Sequence, residues 1–373
     1  MIIGRRSFLA ALLLPVPPLP GGRFVRNVPL GRFDSRPAPA FQLLMGAGLD
    51  ARRFTDLSTL DDGELLTRNE KFFIRTAAAA RTQRATMRAI EVGGAVERPR
   101  TVSLESLSSL VKDAGTHVIE CAGNSDPANF GLMSAARWDG VPLLAVLDAI
   151  RPRAGKWRIQ VTGVDADTGR SRSSVPGASW IFHRDDLERT GAFLATRMNG
   201  ADLPADNGSP LRLVVPGWYG CTCIKWVSRI DVVPDDAAAT PQMIEFARRT
   251  HQDGQPRLAA EYAPPVIDLA AMPVRVEQWV VDGRTVYRVM GIVWGGQKPT
   301  RALSIRFRRD EPFVPVSDCP LPTSTTTWSM WSHRWRPSAP GVYRIVLRCD
   351  DPSIRSRRLD MFFYLREVRI EET

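Results

Sequence analysis

The chain has 373 residues, of which 44% are hydrophobic and 24% charged, a globular composition that excludes disordered, collagen-like and coiled-coil proteins. Fifty Lys and Arg residues against 40 Asp and Glu residues give a net charge of +10, which is compatible with nucleic acid, an anionic ligand or simple solubility. The arginines are scattered and rarely alternate with aromatic residues, so we expect no nucleic-acid partner and favour an anionic ligand held by a few arginines.

Cysteine and histidine usage limits the metal chemistry that the chain supports by itself. Five cysteines are too few for a disulfide-dense scaffold and are not spaced as paired CxxC zinc ligands. The absence of a CxxCH sequence predicts that the chain carries no covalently attached haem. None of the four histidines stands in an HExxH or HxH spacing, so a histidine-built metal site is not expected.

The first thirty residues predict an export signal. Arg5 and Arg6 precede Ser-Phe-Leu and a short apolar run, which resembles a twin-arginine signal. The run is shorter than the roughly 20 apolar residues of a membrane span. We therefore expect a folded protein exported to the periplasm, with no membrane span. The alternative is a basic N-terminus that has no targeting role.

From Phe72 to Pro234, short β-branched runs alternate with helical segments and Gly/Pro turns, which predicts a mixed α+β domain. A linker is predicted at residues 241–265. Within these regions we predict helices at residues 106–112, 143–150 and 241–248, and strands running into loops at residues 117–120 and 212–215.

Helix signals disappear from Val274 onward, and strand-like segments separated by turns predict an all-β sandwich of immunoglobulin type. Cys319 and Cys349 fall in this region, as free thiols or, in an exported protein, as a bridge between the sheets. The expected units are a signal over residues 1–30, a mixed domain over 31–240, the linker over 241–265 and the sandwich over 266–373.

Cys121 is the most informative residue of the mixed domain. It stands where a strand ends in a turn of small residues, Ala122 and Gly123, so its thiol lies on a loop that a ligand can approach closely. Such a thiol suits a soft metal ligand or a nucleophile, and His117 is the only local base. The alternative is a small buried residue at a strand end.

A second segment, residues 198–226, is rich in glycine and carries two cations. Its exposed amides, together with Arg212 and Lys225, could hold a phosphate group. Glycine-rich turns that bear cations are common, so this segment alone does not define a site. Cys221 and Cys223 are separated by one residue, a spacing that strains a local disulfide, and we expect free thiols.

Together, and ahead of an all-β unit, these segments resemble the sulfite oxidase family of molybdenum-cofactor enzymes over residues 70–235. The resemblance implies a mixed α/β molybdopterin-binding domain followed by the sandwich, which serves most often in that family as a dimer interface, so a homodimer is expected. Three motifs carry it: Cys121-Ala122-Gly123-Asn124 with Ala136-Arg137-Trp138, the stretch Met198–Arg212, and Val215-Pro216-Gly217 with Lys225-Trp226.

The resemblance also implies roles for individual residues. Cys121 would ligate molybdenum beside the dithiolene of the molybdopterin. Arg75 would face both the cofactor and an anionic substrate, and Arg212 and Lys225 would lie near the cofactor phosphate. Cofactor contacts are implied for Phe73, Ile74, Arg75, Asp165, Asn207, Arg212, Cys223, Ile224 and Lys225.

The sequence departs from the family pattern where substrate would bind. Ser125 and Asp126 follow the Cys-Ala-Gly-Asn motif in place of arginines that help to bind sulfite, which puts a carboxylate where a cation is expected. Thr76 stands where the family has Asn, and Asn207 replaces a histidine.

The sequence leaves three functions open. The first is an oxidoreductase of sulfite-oxidase type that transfers an oxygen atom between water and a small-molecule substrate and passes electrons to a separate carrier such as a cytochrome c. The second is a sulfoxide or N-oxide reductase of the same fold, which Asp126 favours because a neutral substrate needs no cation. The third is a cofactor-free, non-catalytic assembly subunit. Tyr219 and Tyr262 are candidates for an active-site tyrosine by location alone, and a core role is the alternative for each.

Overall fold

The structure is a computed structural model of the 373-residue chain. It describes residues 19–31, 42–43, 51–60, 65–76, 87–125, 130–164, 178–361 and 364–372. Residues 1–18 of the predicted signal, together with Asp126 and Asp165, lie outside the described residues.

Strands dominate the described residues. In chain order they are β1 (Gly22–Val28), β2 (Leu30–Gly31), β3 (Gln42–Leu43), β4 (Ala51–Arg53), β5 (Ile74–Thr76), β6 (Ala89–Gly94), β7 (Arg100–Ser103), β8 (Lys112–Glu120), β9 (Met133–Pro142), β10 (Trp157–Gly163), β11 (Ser179–Phe182), β12 (Phe193–Met198), β13 (Ala201–Asp202), β14 (Arg212–Val214), β15 (Val227–Pro234), β16 (Ala270–Val281), β17 (Arg284–Trp294), β18 (Leu303–Arg306), β19 (Val314–Pro315), β20 (Ser329–Trp335), β21 (Gly341–Cys349) and β22 (Arg366–Ile370).

The described helices are short, and none of them is long and apolar enough to cross a membrane. They are α1 (Leu104–Ser108), α2 (Leu143–Leu147), α3 (Arg184–Thr190) and α4 (Pro241–Phe246). The predicted helix at residues 106–112 is wrong in its second half. The side chain of Ser103 caps the start of α1, and by Lys112 the chain has entered β8, where its pairing with Gly140 of β9 prevails over helical propensity.

The mixed domain contains two five-stranded sheets. One has the order β11-β10-β15-β6-β7, in which only β15 and β6 run parallel. The other has the order β13-β12-β9-β8, with β14 also paired to β12. A small sheet, β3-β4-β5, lies before them in sequence. The second large sheet matters most for function because β8 ends immediately before Cys121.

The C-terminal half is a sandwich of two sheets, with the orders β1-β16-β17-β20 and β19-β18-β21-β22-β2. Trp335 of the first sheet connects the layers: its ring stacks on Phe307 at 4.1 Å between centroids and meets Tyr343 of the second sheet edge-on at 4.7 Å. The predicted α+β class with an all-β C-terminal unit is confirmed. Cys319 and Cys349 are free thiols in this structure.

The N-terminal strands belong to the sandwich. β1 pairs with β16 from Gly22 opposite Val281 to Val28 opposite Val276, and β2 pairs with β22. The sequence-based boundary had divided these residues between the export signal and the mixed domain. Because β1 is an edge strand with five exposed positions in a row, it has no hydrophobic alternation that would mark it as a strand.

A buried ion pair joins the mixed domain to the sandwich. Glu120, the last residue of β8, is 1% exposed and accepts hydrogen bonds from Nη1 and Nη2 of Arg357 at 2.7 and 2.8 Å. Trp294 Nε1 donates a third bond to the same carboxylate at 2.8 Å. Burial lowers the pKa of Arg357, but the charge and hydrogen bonds of Glu120, together with Tyr219 and Tyr364, outweigh burial and raise the pKa, so the guanidinium stays charged.

Replacing Glu120 by Gln should destabilise the protein strongly, because it leaves the guanidinium of Arg357 buried without a carboxylate. We expect the free energy of unfolding, measured by denaturant titration, to fall by about 3–5 kcal/mol. The matched control is Glu371→Gln, which removes an exposed ion pair with Arg26 and should change stability by less than about 1 kcal/mol. Equal small effects of both substitutions would contradict a structural role for the buried pair.

Candidate functional site

The turn after β8 fixes the position of Cys121. The Cys121 amide donates to Leu132 O at 2.9 Å, and Asn124 N donates to Cys121 O at 2.9 Å. The buried Asn124 side chain braces the turn from inside, since Nδ2 donates to Phe130 O at 2.8 Å and Oδ1 accepts from Leu132 N at 3.0 Å. The Cys-Ala-Gly-Asn motif thus holds one thiol at the end of a rigid strand pair.

The thiol of Cys121 lies in a positive local field. The residue is 8% exposed, and burial raises the pKa of the thiol. The Gly123 amide, which donates to Sγ at 3.3 Å, and the guanidinium groups of Arg75 and Arg249 oppose this rise. A cysteine sulfur with an amide donor and two guanidinium groups nearby is suited to bind a metal ion as a thiolate.

The predicted segment Phe73-Ile74-Arg75 lies next to Cys121. Phe73 N donates to Ser134 Oγ of β9 at 3.0 Å, which ties the segment to the same sheet. Phe73 and Cys121 also share one apolar cluster with Cys223. Ile74 is buried in β5, and Arg75 follows it within electrostatic reach of the thiol. The structure therefore brings together the two predicted catalytic residues, Cys121 and Arg75.

Gly208 is the point at which the two predicted phosphate-binding cations converge. A β-carbon on Gly208 would lie 3.1 Å from Cβ of Arg212 and 3.2 Å from Cβ of Lys225, and φ here is +115°. Both features favour glycine. Lys225 Nζ donates to Asp206 O at 3.1 Å, so the lysine is anchored on the loop that precedes Gly208.

Arg212 is buried without a counter-ion among the described residues. It is 5% exposed, its Nη1 donates to Asn207 O at 3.1 Å, and its Nε has no hydrogen-bond partner in the part of the chain that the structure describes. Burial lowers the pKa of Arg212, but an arginine remains charged in this setting. A buried cation with an unsatisfied donor is what an anionic group of a ligand would neutralise.

The other predicted cofactor contacts surround Arg212. Asn207 is buried in the turn before Gly208, and Ile224 O accepts from Leu213 N of β14 at 2.8 Å. Cys223 Sγ accepts from Val215 N at 3.5 Å. Cys221 and Cys223 are both free and buried, and burial raises the pKa of each thiol, as it does for Cys121.

The tyrosine candidates are both engaged elsewhere. Tyr219 is buried, its ring lies 5.4 Å from the guanidinium carbon of Arg357, and burial raises its pKa. The ring of Tyr262 packs edge-on against Trp180 of the other large sheet. Ser125, which replaces a family arginine, is exposed and donates from Oγ to Gly123 O at 3.4 Å.

Arg249 is the residue near Cys121 that the sequence did not identify. It lies in the region predicted to be a linker, and no motif marks it. The one available signal was weak: two adjacent arginines stand at the end of the helix predicted over residues 241–248. The proximity of Arg249 to Cys121 depends on how that helix packs, which no local pattern encodes.

Comparisons with known proteins agree with this geometry. Residues 79–240 match the family model of the oxidoreductase molybdopterin binding domain. Sulfite oxidase of Gallus gallus is 32% identical over 197 residues, which are 48% of this chain and 42% of that protein. NADPH nitrate reductase of Beauveria bassiana is 28% identical over 158 residues, which are 39% of this chain and 17% of that protein.

A solved structure extends the likeness of fold to the whole chain. The sulfane dehydrogenase SoxCD from Paracoccus pantotrophus aligns over 99% of this chain and 96% of that chain, with a TM-score of 0.62 and 16% sequence identity. At this identity the likeness shows the fold alone. It includes the sandwich as well as the mixed domain.

Residues 79–240 thus form a molybdopterin-binding oxidoreductase domain. The described site fits that cofactor, because it offers a thiol for a metal ion and a buried guanidinium with an unsatisfied donor for an anionic group. The predicted resemblance to the sulfite oxidase family, the oxidoreductase class and the molybdopterin cofactor are confirmed over the matched residues. The chain spans about two fifths of the length of the sulfite oxidases that it matches.

Arg212→Met should have opposite effects on cofactor retention and on stability. If Arg212 binds the cofactor, as the resemblance implies, the cofactor loses a charged hydrogen-bond donor and pterin content after purification should fall about tenfold or more. The cofactor-free protein loses an unsatisfied buried cation, so its free energy of unfolding should rise by about 1–3 kcal/mol.

Pterin fluorescence after acid extraction measures the first effect of Arg212→Met, and denaturant unfolding of cofactor-free protein measures the second. Arg197→Met removes an exposed arginine of β12 and should alter neither. Unchanged pterin content in Arg212→Met would contradict the assignment of Arg212 to the cofactor.

Proposed function

We propose that the chain transfers an oxygen atom between water and a small-molecule substrate at a molybdenum ion ligated by Cys121. The observation that carries the proposal is the position of the Cys121 thiol, held by the Cys-Ala-Gly-Asn turn in one cluster with Phe73 and Cys223. The buried guanidinium of Arg212 supports it from the other end of the site.

The bound molybdenum cofactor would supply two-electron oxygen-atom transfer. In the oxidising direction the substrate gains one oxygen atom from water, and two protons and two electrons are released. The residues of this chain hold and orient the participants. The Gly123 amide orients Sγ of Cys121, and Arg75 stabilises negative charge beside it. Arg212 and Lys225 hold the phosphate of the cofactor.

The two electrons need a separate acceptor. The chain has no CxxCH sequence to attach a haem, so we propose a second protein such as a cytochrome c as the carrier. The sandwich gives the chain a large all-β unit outside the cofactor domain, and we propose that it forms a homodimer interface.

A second candidate function is reduction of a sulfoxide or an N-oxide. The exposed hydroxyl of Ser125, where sulfite oxidases carry an arginine, favours it because a neutral substrate needs no cation at that position. Assays with sulfite and an oxidised dye, run beside assays with sulfoxides and a reduced dye, separate the two. Faster turnover of sulfite would remove the reductase function.

Cys121→Ser should lower the molybdenum content of protein made in a host that produces the cofactor. A hydroxyl is a poorer ligand than a thiolate for this metal site, so the metal loses a donor from the protein. Pterin should be lost to a smaller extent, because Arg212 and Lys225 hold its phosphate independently of the thiol. Elemental analysis and pterin fluorescence on the same sample measure the two contents.

Cys223→Ser is the matched control for Cys121→Ser, since Cys223 is buried in the same cluster and lies on the loop with Arg212. It should keep its molybdenum. Undiminished molybdenum in Cys121→Ser would exclude the thiol as a ligand. Absence of both molybdenum and pterin from the wild-type protein would favour a cofactor-free assembly subunit.

We also propose export to the periplasm through the twin-arginine-like segment. Replacing Arg5 and Arg6 by Lys keeps the charge of the segment but removes the arginine pair. We expect the full-length protein to shift from the periplasmic to the cytoplasmic fraction in an expressing bacterium. An unchanged distribution would contradict a twin-arginine signal.

A further inference from the structure

Helix α4 packs against the loop that carries Cys221 and Cys223. Its N-terminus is capped by Thr240, whose Oγ1 accepts from Met243 N at 3.3 Å, and Met243 is fully buried. The Gln242 side chain donates a hydrogen bond to Cys221 O. The region predicted to be a linker is therefore packed against the loop that carries Cys221 and Cys223.

The turn that follows α4 directs Arg249 toward the site. Residues 247–250 form a 3-10 turn that ends at His251, whose φ is +60°. Thr250 is buried, and its Oγ1 donates to Phe246 O at 2.9 Å, which fixes the turn to the helix. The guanidinium carbon of Arg249 lies 5.5 Å from the ring centroid of Phe246.

Gly123 is the contact point between this turn and the Cys121 loop. A β-carbon placed on Gly123 would lie 2.9 Å from Nη1 of Arg249 and 3.7 Å from Sγ of Cys121. The guanidinium and the sulfur therefore border the same small space. Any residue larger than glycine at this position would displace the guanidinium.

The described charged groups nearest to this space are mainly positive. Among the described residues, no carboxylate forms an ion pair with Arg249 within 4.0 Å. The buried carboxylate nearest in sequence to Cys121 is that of Glu120, which is neutralised by Arg357. Arg75 contributes a second positive charge at the sulfur. The described charges around this space therefore favour a small anion.

We propose that Arg249 is a specificity-determining residue that binds an anionic substrate beside Cys121, in place of the arginines absent at Ser125 and Asp126. The inference rests on the proposed function and concerns which residue supplies positive charge at the substrate position. The cation reaches the site from the turn after α4 instead of from the loop after the Cys-Ala-Gly-Asn motif.

The first test uses cofactor-free protein, so it does not depend on activity. Iodoacetate is an anion and iodoacetamide is a neutral reagent of similar size, so their relative rates of Cys121 alkylation report the local charge. Peptide mass spectrometry separates Cys121 from the other four cysteines. We expect Arg249→Gln to lower the iodoacetate-to-iodoacetamide ratio about three- to tenfold.

Two variants control the alkylation test. Arg248→Gln removes the adjacent arginine, which is exposed as Arg249 is, with the same change in net charge, and should leave the ratio unchanged. Arg249→Lys should retain most of the wild-type ratio, because it keeps the positive charge. An equal ratio in Arg249→Gln and the wild type would overturn the proposal. So would a Cys121 that reacts with neither reagent, since the space would then not admit an anion.

The second test uses the cofactor-loaded enzyme. In Arg249→Gln, KM for an anionic substrate should rise about tenfold, with a smaller change in kcat, while KM for a neutral sulfoxide should stay constant. Equal changes for both substrates would overturn the proposal. Molybdenum content tests the proposed function separately. A protein that contains no molybdenum but whose alkylation ratio depends on Arg249 would refute the proposed function and leave the role of Arg249 in anion binding intact.

Discussion

The ion pair between Glu120 and Arg357 is the constraint on which the site depends. It ends β8 inside the protein, one residue before Cys121, and its cation comes from the sandwich. Trp294 donates to the same carboxylate, so the strand end contacts two segments of the C-terminal half. The last residue of β8 can carry a buried charge only because the two halves dock in this arrangement. The position of the Cys121 thiol therefore depends on the contact between the mixed domain and the sandwich.

The net charge of +10 does not show where positive charge lies near the site. Arg212 lies beneath the 205–208 turn with an unsatisfied Nε, and Arg75 and Arg249 act on the thiol of Cys121. These two groups of cations match the two negatively charged parts that the proposed chemistry brings together, a cofactor phosphate and an anionic substrate. Arg137 and Arg358 form exposed ion pairs, which contribute little to stability.

What could be predicted from the sequence was local. The Cys-Ala-Gly-Asn turn and the convergence of Arg212 and Lys225 on Gly208 arise within short segments, so motif spacing located them. The end of α1 was misplaced because pairing of β8 with β9 begins at Lys112. Three features could not be predicted because each depends on a contact with a segment distant in sequence. They are the pairing of β1 with β16, the position of Arg249 beside Gly123, and the ion pair of Glu120 with Arg357. Charge at the substrate position was predicted from Ser125 and Asp126 alone, whereas Arg249, from a segment distant in sequence, also lies near Cys121.

The central claim is that Cys121 provides a sulfur ligand to molybdenum. X-ray absorption at the molybdenum edge measures it most directly, because the number of sulfur neighbours is read from the metal itself. If Cys121 is a ligand, the metal retained by Cys121→Ser has one sulfur neighbour fewer than that of the wild type, while the metal of Cys223→Ser is unchanged. An equal number of sulfur neighbours in Cys121→Ser and the wild type would contradict it.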